Sequence, residues 1–431
     1  MRLRASLVLA LVLAFGLTLS AQVIDPALQA KLGGVLTGPP LRVVVTFHQM
    51  PGFLDRALLS TLSSRTQFLS KLPIALVEIP VPAIQSLLGR ANIRSLYLDR
   101  ELEYYNHDAN IIVGAPAARQ EFAVDGSGIG VAVIDSGVDG THADLPYGTK
   151  VVQNVKIVGT VGLATNIVQA VENLPNSDTS SGHGTHCAGS IAGSGSASGG
   201  YHAGIAPGAH LVGVGTGDAI FVFYALEGFN DVLENRQRYN IRVVSNSWGT
   251  TGLFDANDPV NVASKAAHDA GLTVVFAAGN EGPADNTLNP YSVAPWVIGV
   301  AAGNKDGSTL ADFSSRGIAG DPLYRPAITA PGVDIFSTRA LNTLLPVLGL
   351  PSDVNLDPTW IPYYTTMSGT SMATPQVAGI CALLLSAKPS MTPVQVRAAL
   401  VSTATPMPGY GPHEAGAGYV NAHAAIDSVL P

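Results

Sequence analysis

Four glycine-rich stretches of this chain carry a serine, a histidine, a carboxylate and an amide whose chemistries fit together. Gly369-Thr370-Ser371-Met372-Ala373-Thr374-Pro375 stands just ahead of residues 377–385, a run apolar on every face, as expected of a helix in a protein core. Pro375 reads as part of the first turn, where its missing N–H costs little. Ser371 then meets the positive end of the helix dipole and unpaired N–H groups, which suits a nucleophile whose attack creates an oxyanion. Serine is also a preferred N-cap, and the motif alone reads as one. His183 lies in Gly182-His183-Gly184-Thr185-His186-Cys187-Ala188-Gly189, with glycine on both sides to let the backbone come close to whatever it serves. His183 and His186 could ligate a metal, although the spacing lacks the glutamate of a zinc-protease helix. They could be core histidines, or one could be a general base taking the proton of Ser371. Asp135, directly after Val131-Ala132-Val133-Ile134, could orient that base. Asn280, in Phe276-Ala277-Ala278-Gly279-Asn280, could donate its amide to the oxyanion, or be an ordinary turn asparagine.

These groups need elements that bring them together. Residues 131–134, 211–214, 242–245, 273–276 and 296–300 are short, largely apolar runs, as a parallel sheet covered on both faces requires. Helical candidates lie between them at 221–234 and 260–270. The pattern predicts a doubly wound, mostly parallel α/β domain whose ligands meet the carboxyl ends of the strands. Before it, strands at 41–47, 74–79 and 93–98 alternate with helices at 54–69 and 81–88, which predicts a small α+β unit of ferredoxin-like type. Residues 338–366, rich in Leu and Pro, show no clear pattern and read as a surface loop.

Composition narrows the class. The 431 residues are 47% hydrophobic and 13% charged, with a formal net charge of −8. That balance, without a Lys/Arg run, argues against a nucleic-acid binder. Arg2 and Arg4, then an apolar run over 5–19 and Ser20-Ala21, read as a secretory signal peptide cut after Ser20 or Ala21. A retained anchor is the alternative reading, and no other segment approaches a span. Two cysteines make a poor disulfide framework, so Cys187 and Cys381 are expected as buried free thiols.

Taken together, the motifs resemble the subtilisin-like serine proteases. Asp135, His183 and Ser371 follow in the chain order of subtilisin, and Ser245-Asn246-Ser247-Trp248-Gly249, Phe313-Ser314-Ser315-Arg316-Gly317 and Ala330-Pro331-Gly332 look like the family's framework. The resemblance covers residues 115–426. It implies a peptidase domain over 109–431, a signal peptide over 1–21 and a propeptide over 22–108 whose folded part, 41–105, inhibits and aids folding. It implies Ser371 as nucleophile, His183 as base, Asp135 as its orienting carboxylate and Asn280 as oxyanion donor. Ser247, Trp248, Gly249 and Gly279 resemble the primary specificity segments, and His186 becomes structural. The implied product is a secreted, self-processing endopeptidase acting on proteins or peptides, inhibited by its own propeptide and needing no cofactor for chemistry. An inactive secreted binding protein on the same fold is the rival. Asp144 resembles a carboxylate that ligates calcium in some relatives, but the loop 193–200 holds no side-chain carboxylate or amide. Calcium takes about six to eight oxygens, so a metal site stays open. No clear acid near the pocket awaits a basic substrate side chain, which favours an apolar or broad preference.

Overall fold

The computed structural model describes residues 22–32, 39–99, 101–104, 113–159, 168–179, 181–217, 220–341, 353 and 359–430. The signal segment, the stretch 105–112 and most of 342–358 lie outside them.

The N-terminal unit begins with β1 (Val23–Ile24) and α1 (Pro26–Leu32), then runs β2 (Leu41–Phe47), α2 (Phe53–Leu62), β3 (Arg65–Phe68), β4 (Ile74–Ile79), α3 (Val81–Ile84) and β5 (Ile93–Leu98). Its sheet has the order β1-β5-β2-β4-β3. From β2 to β5 the succession is strand–helix–strand–strand–helix–strand, the ferredoxin-like pattern. The expected helix over 54–69 stops at Leu62, and Arg65–Phe68 pairs with β4 instead. Ser63 turns to extended backbone there and Ser64 bonds the Glu78 carbonyl. Strand alternation divides the sheet. Val43, Val45 and Phe47 pack on the unit's own helices, while Val44, Leu76 and Tyr97 face the large domain.

After β6 (Glu101–Tyr104) and α4 (Ala115–Phe122) comes an α/β domain with strands β7 (Gly130–Asp135), β8 (Val151–Gly159), β9 (Val168–Val171), β10 (His210–Gly215), β11 (Ile220–Phe221), β12 (Ile241–Asn246), β13 (Trp248–Gly249), β14 (Thr273–Ala277), β15 (Ile298–Gly303), β16 (Ile328–Pro331), β17 (Ile335–Thr338) and β18 (Tyr364–Met367). The eight-stranded sheet runs β16-β15-β14-β12-β7-β10-β8-β9, parallel throughout except for the β8–β9 pair at its edge. Interleaved are α5 (His183–Ala192), α6 (Val222–Asn235), α7 (Pro259–Asp269), α8 (Thr370–Ala387), α9 (Pro393–Ser402), α10 (Pro412–Ala415) and α11 (Ala422–Asp427). One core joins α5, α8, α9 and α11 to one face of the sheet, and a second joins α6 and α7 to the other.

By length and composition α8 could cross a membrane, but 89% of it is buried inside the protein. The all-round apolarity therefore marks a central core helix. The stretch 338–366 is anchored at both ends, because β17 and β18 pair as an antiparallel ribbon.

Candidate functional site

Asp135 ends β7, the central strand, and His183 opens α5. The imidazole Nδ1–H donates to Asp135 Oδ1 at 2.6 Å. Such an approach needs room, and Gly184 provides it: a Cβ there would lie 2.2 Å from the Gly137 carbonyl and 2.9 Å from the Asp135 Cβ. Asp135 Oδ1 also accepts the Ser136 N–H at 2.8 Å, and the Ser136 hydroxyl accepts the Gly184 N–H at 2.8 Å. The first turn of α5 is therefore bound to the turn after β7. Asp178 completes that support with hydrogen bonds from Gly182 N–H, Thr185 N–H and Thr185 Oγ1–H. The sequence reading missed this carboxylate, which stands in the loop ahead of α5, outside the cap position held by Gly182.

Both His183 and Asp135 are fully buried. Burial disfavours the charged imidazole, but the groups facing it, Asp135 first and Cys187 after it, together hold the His183 pKa well above the ordinary histidine value. His186 is different. Desolvation pushes its pKa down to about 3, and its Nε2–H donates to the Ile335 carbonyl at 3.0 Å. It is a neutral, structural histidine, so the His-x-x-His pair does not converge on a metal.

Ser371 is the second residue of α8, which begins five residues before Pro375. Pro375 therefore lies inside the helix rather than in its first turn, and it cannot donate to the carbonyl of Ser371, one turn back. That carbonyl instead accepts Ser247 Oγ–H at 2.8 Å and Cys187 Sγ–H at 3.5 Å. The Ser371 hydroxyl donates to the carbonyl of Ser247 at 2.8 Å. Two reciprocal bonds thus hold Ser371 against the residue before β13. The Ser371 N–H is among the first of the helix, which lack carbonyl partners within it.

Asn280 follows β14 on the turn with Gly279. Its Oδ1 accepts both the Thr370 N–H and Thr370 Oγ1–H, each at 2.9 Å. A backbone N–H can only donate, so the amide nitrogen must face the other way. That Nδ2 is buried and has no acceptor among the described residues. An unmet buried donor costs about 1–3 kcal/mol, which is tolerated where a ligand supplies the acceptor. Gly279 has φ +109°, and a Cβ there would lie 2.7 Å from Ser315 Oγ.

The remaining expected site residues take more specific places. Gly249 and the backbone of Trp248 form β13, which pairs antiparallel with β6 in the register Trp248↔Tyr104 and Gly249↔Glu103. On its other side β6 pairs with β11. The Trp248 indole does not line the cleft: it is fully buried and donates to the Ile134 carbonyl at 2.8 Å.

Asp144 does not fit a calcium site. Its Oδ1 accepts the Ala197 N–H at 2.8 Å and its Oδ2 accepts the Tyr364 O–H at 2.6 Å. Protein donors thus occupy both oxygens, and the glycine-serine loop beside it brings no further carboxylate.

Cys187 Sγ lies 4.0 Å from His183 Nδ1 and 3.5 Å from the Ser371 carbonyl oxygen, which brings the serine segment up to the buried imidazole. The Subtilase family pattern matches residues 126–420. The serine protease AprX of Bacillus subtilis is 35% identical over 88% of this chain and 85% of its own length. Subtilisin E of the same organism is 35% identical over 68% of this chain and 64% of its own. The crystal structure of fervidolysin from Fervidobacterium pennivorans, a keratinolytic enzyme related to subtilisin, superposes with a TM-score of 0.66 at 23% identity. That superposition covers 95% of this chain and 63% of fervidolysin. Family pattern and a relative of comparable length agree, and the chain is a member of the subtilase family, a subtilisin-like serine protease.

Proposed function

We propose that this serine protease is a secreted endopeptidase, made as a zymogen that processes itself, with Ser371 as nucleophile. In the reaction the Ser371 hydroxyl leaves the Ser247 carbonyl and gives its proton to His183 Nε2 as Oγ bonds the substrate carbonyl carbon. Asp135 holds the imidazole by Nδ1 and stabilises the imidazolium. The oxyanion takes hydrogen bonds from Asn280 Nδ2 and the Ser371 N–H. The imidazolium then protonates the leaving amine, and water hydrolyses the acyl-enzyme by the same relay. No cofactor enters these steps. The observation that carries the reading is the Asn280 amide, aimed by Thr370, which directly precedes Ser371, and left without an acceptor among the described residues.

A fluorescent phosphonate, followed by mapping of the labelled peptide, tests the assignment. The label is expected on Ser371. Ser371→Ala should lower turnover by about six orders of magnitude and Asn280→Ala by about two to three. Label on another residue, or more than a few per cent of wild-type activity in Ser371→Ala, would overturn it.

The zymogen reading rests on β6, which fills the gap between β11 and β13 in the manner of a substrate strand. Export rests on the signal-like residues 1–21 alone.

A further inference from the structure

At the amino ends of β14 and β15, away from Ser371 at the carboxyl end of the sheet, α9 closes a cavity of about 420 Å³. That volume is typical of small-ligand sites. Its walls are largely apolar. They include Ile298, Pro393, the well-exposed Val394 and Trp296, whose indole N–H is already used on Ser264 Oγ at 2.9 Å. Arg397 lines the same space, and no lining residue is acidic.

The guanidinium of Arg397 is unusual. Its Nε is buried without an acceptor, and among the described residues none pairs with it. Burial, and after it the like charge of Arg325, lower its pKa. The carboxylate of Asp269, on neighbouring α7, is already taken by Lys265 at 2.6 Å and approached by His268 at 3.3 Å. Arg242 fixes the segment leading into α9 by donating to the carbonyls of Pro389 and Met391, both at 2.9 Å. A cationic group whose Nε is buried without an acceptor is costly. Here it lines a largely apolar hollow, which is the arrangement that an anion with a greasy body completes. A phosphate dianion would want more cations and fewer apolar walls.

We infer that this cavity binds a carboxylate carrying a medium-sized apolar group, with Arg397 taking the carboxylate and the Trp296–Val394 wall taking the apolar part. Two sources share that chemistry, a peptide C-terminus ending in an apolar residue and a short fatty acid. Peptide-bond cleavage generates the first with every turnover. The site is separate from the cleft, so its occupant does not compete with substrate.

Isothermal titration calorimetry on full-length Ser371→Ala protein, which does not hydrolyse the probes, tests the inference. The probes are acetyl-alanyl-leucine, its C-terminal amide, and octanoate. At least one carboxylate should bind, with the amide about tenfold weaker or more, the factor expected from one charge-assisted pair. Arg397→Gln should lose the same factor, and Arg397→Lys should keep part of it. Val394→Asp, at an exposed position that leaves the fold intact, should also weaken the carboxylates. Binding of the dipeptide alone would identify a peptide terminus, and binding of octanoate alone a fatty acid. The inference is overturned if neither carboxylate binds by about 10 mM, if the amide matches the acid, or if Arg397→Gln and Val394→Asp both bind like the parent.

Discussion

Pro375 has no N–H to offer the Ser371 carbonyl, and Ser247 Oγ and Cys187 Sγ fill the vacancy. The same thiol lies 4.0 Å from His183 Nδ1, four residues along α5, the spacing that stacks side chains on one helix face. Desolvation raises the Cys187 pKa, so it stays a protonated, weakly reactive thiol with no part in the proton relay. A soft metal bound there would still push His183 aside, and about 1 Å of misplacement can cost on the order of a hundredfold in rate. Mercurials should therefore inhibit, dithiothreitol should reverse the effect, and Cys187→Ala should remain active and resist them; equal sensitivity in both proteins would clear Cys187. The imidazole itself sets the pH dependence. A general base works only when neutral, so activity falls as pH drops through the His183 pKa. Against burial, Asp135 and after it Cys187 hold that pKa well above the ordinary value, and the acidic limb of kcat/KM should lie above about pH 6.5. Asp135→Asn removes the larger raising charge and leaves burial, so the limb should move to lower pH while kcat falls about 10⁴-fold. A limb unmoved in Asp135→Asn would show that another group is titrating.

The β17–β18 ribbon holds the Asp144 loop in place. Tyr364 reaches from β18 to Asp144 Oδ2 and to Ser198 Oγ at 3.0 Å, and its ring packs 4.6 Å from that of His202. Tyr364→Phe keeps the ring and removes only the hydroxyl, so the folded Ser371→Ala protein should lose about 1–3 kcal/mol in denaturant unfolding. Its Tm should not respond to EDTA or calcium through this site. A calcium-dependent rise in Tm that Asp144→Asn abolishes would sink the reading, since a ligand specific to the folded state must stabilise it. The ribbon was not legible in the sequence, because its strands are short and lie far apart in the chain. By contrast, β7, β10, β12 and β14 were legible as apolar runs, since burial on both faces leaves one pattern. β3 was misread because Leu and Phe kept a helical spacing through a segment where pairing with β4 wins. The Asp135, His183, Ser371 and Asn280 positions could be read from local motifs. Their alignment could not, because Thr370 fixing Asn280 and Ser247 holding Ser371 are contacts between residues about 90 or more apart.

The N-terminal unit and the peptidase domain share one apolar core, in which Val44, Leu69, Leu76 and Tyr97 meet α6 and α7. Polar contacts fix the docking. Asp99, paired with Arg42 at 2.6 Å, accepts the Phe223 N–H in the first turn of α6, and Tyr97 donates to Asp255 at 2.5 Å. The unit's last strand, β6, then runs along β13 toward Ser247. The described pairing ends at Tyr104↔Trp248, so the proposed self-cut is expected beyond Tyr104. N-terminal sequencing should find a first residue between Tyr105 and Pro116 in the active protein and an intact N-terminal unit in Ser371→Ala. An active protein that keeps residue 41 would exclude the cut. The β6 pairing also makes dilution a variable. While the chain is continuous, β6 sits in the cleft at an effective concentration set by its attachment, in the millimolar range for short linkers, whatever the amount of protein in solution. Once the bond is broken, the same contacts belong to two molecules, and their occupancy follows the total concentration and the dissociation constant. On the proposed self-processing, a single cleavage would therefore convert a block indifferent to dilution into one that thins as the protein disperses.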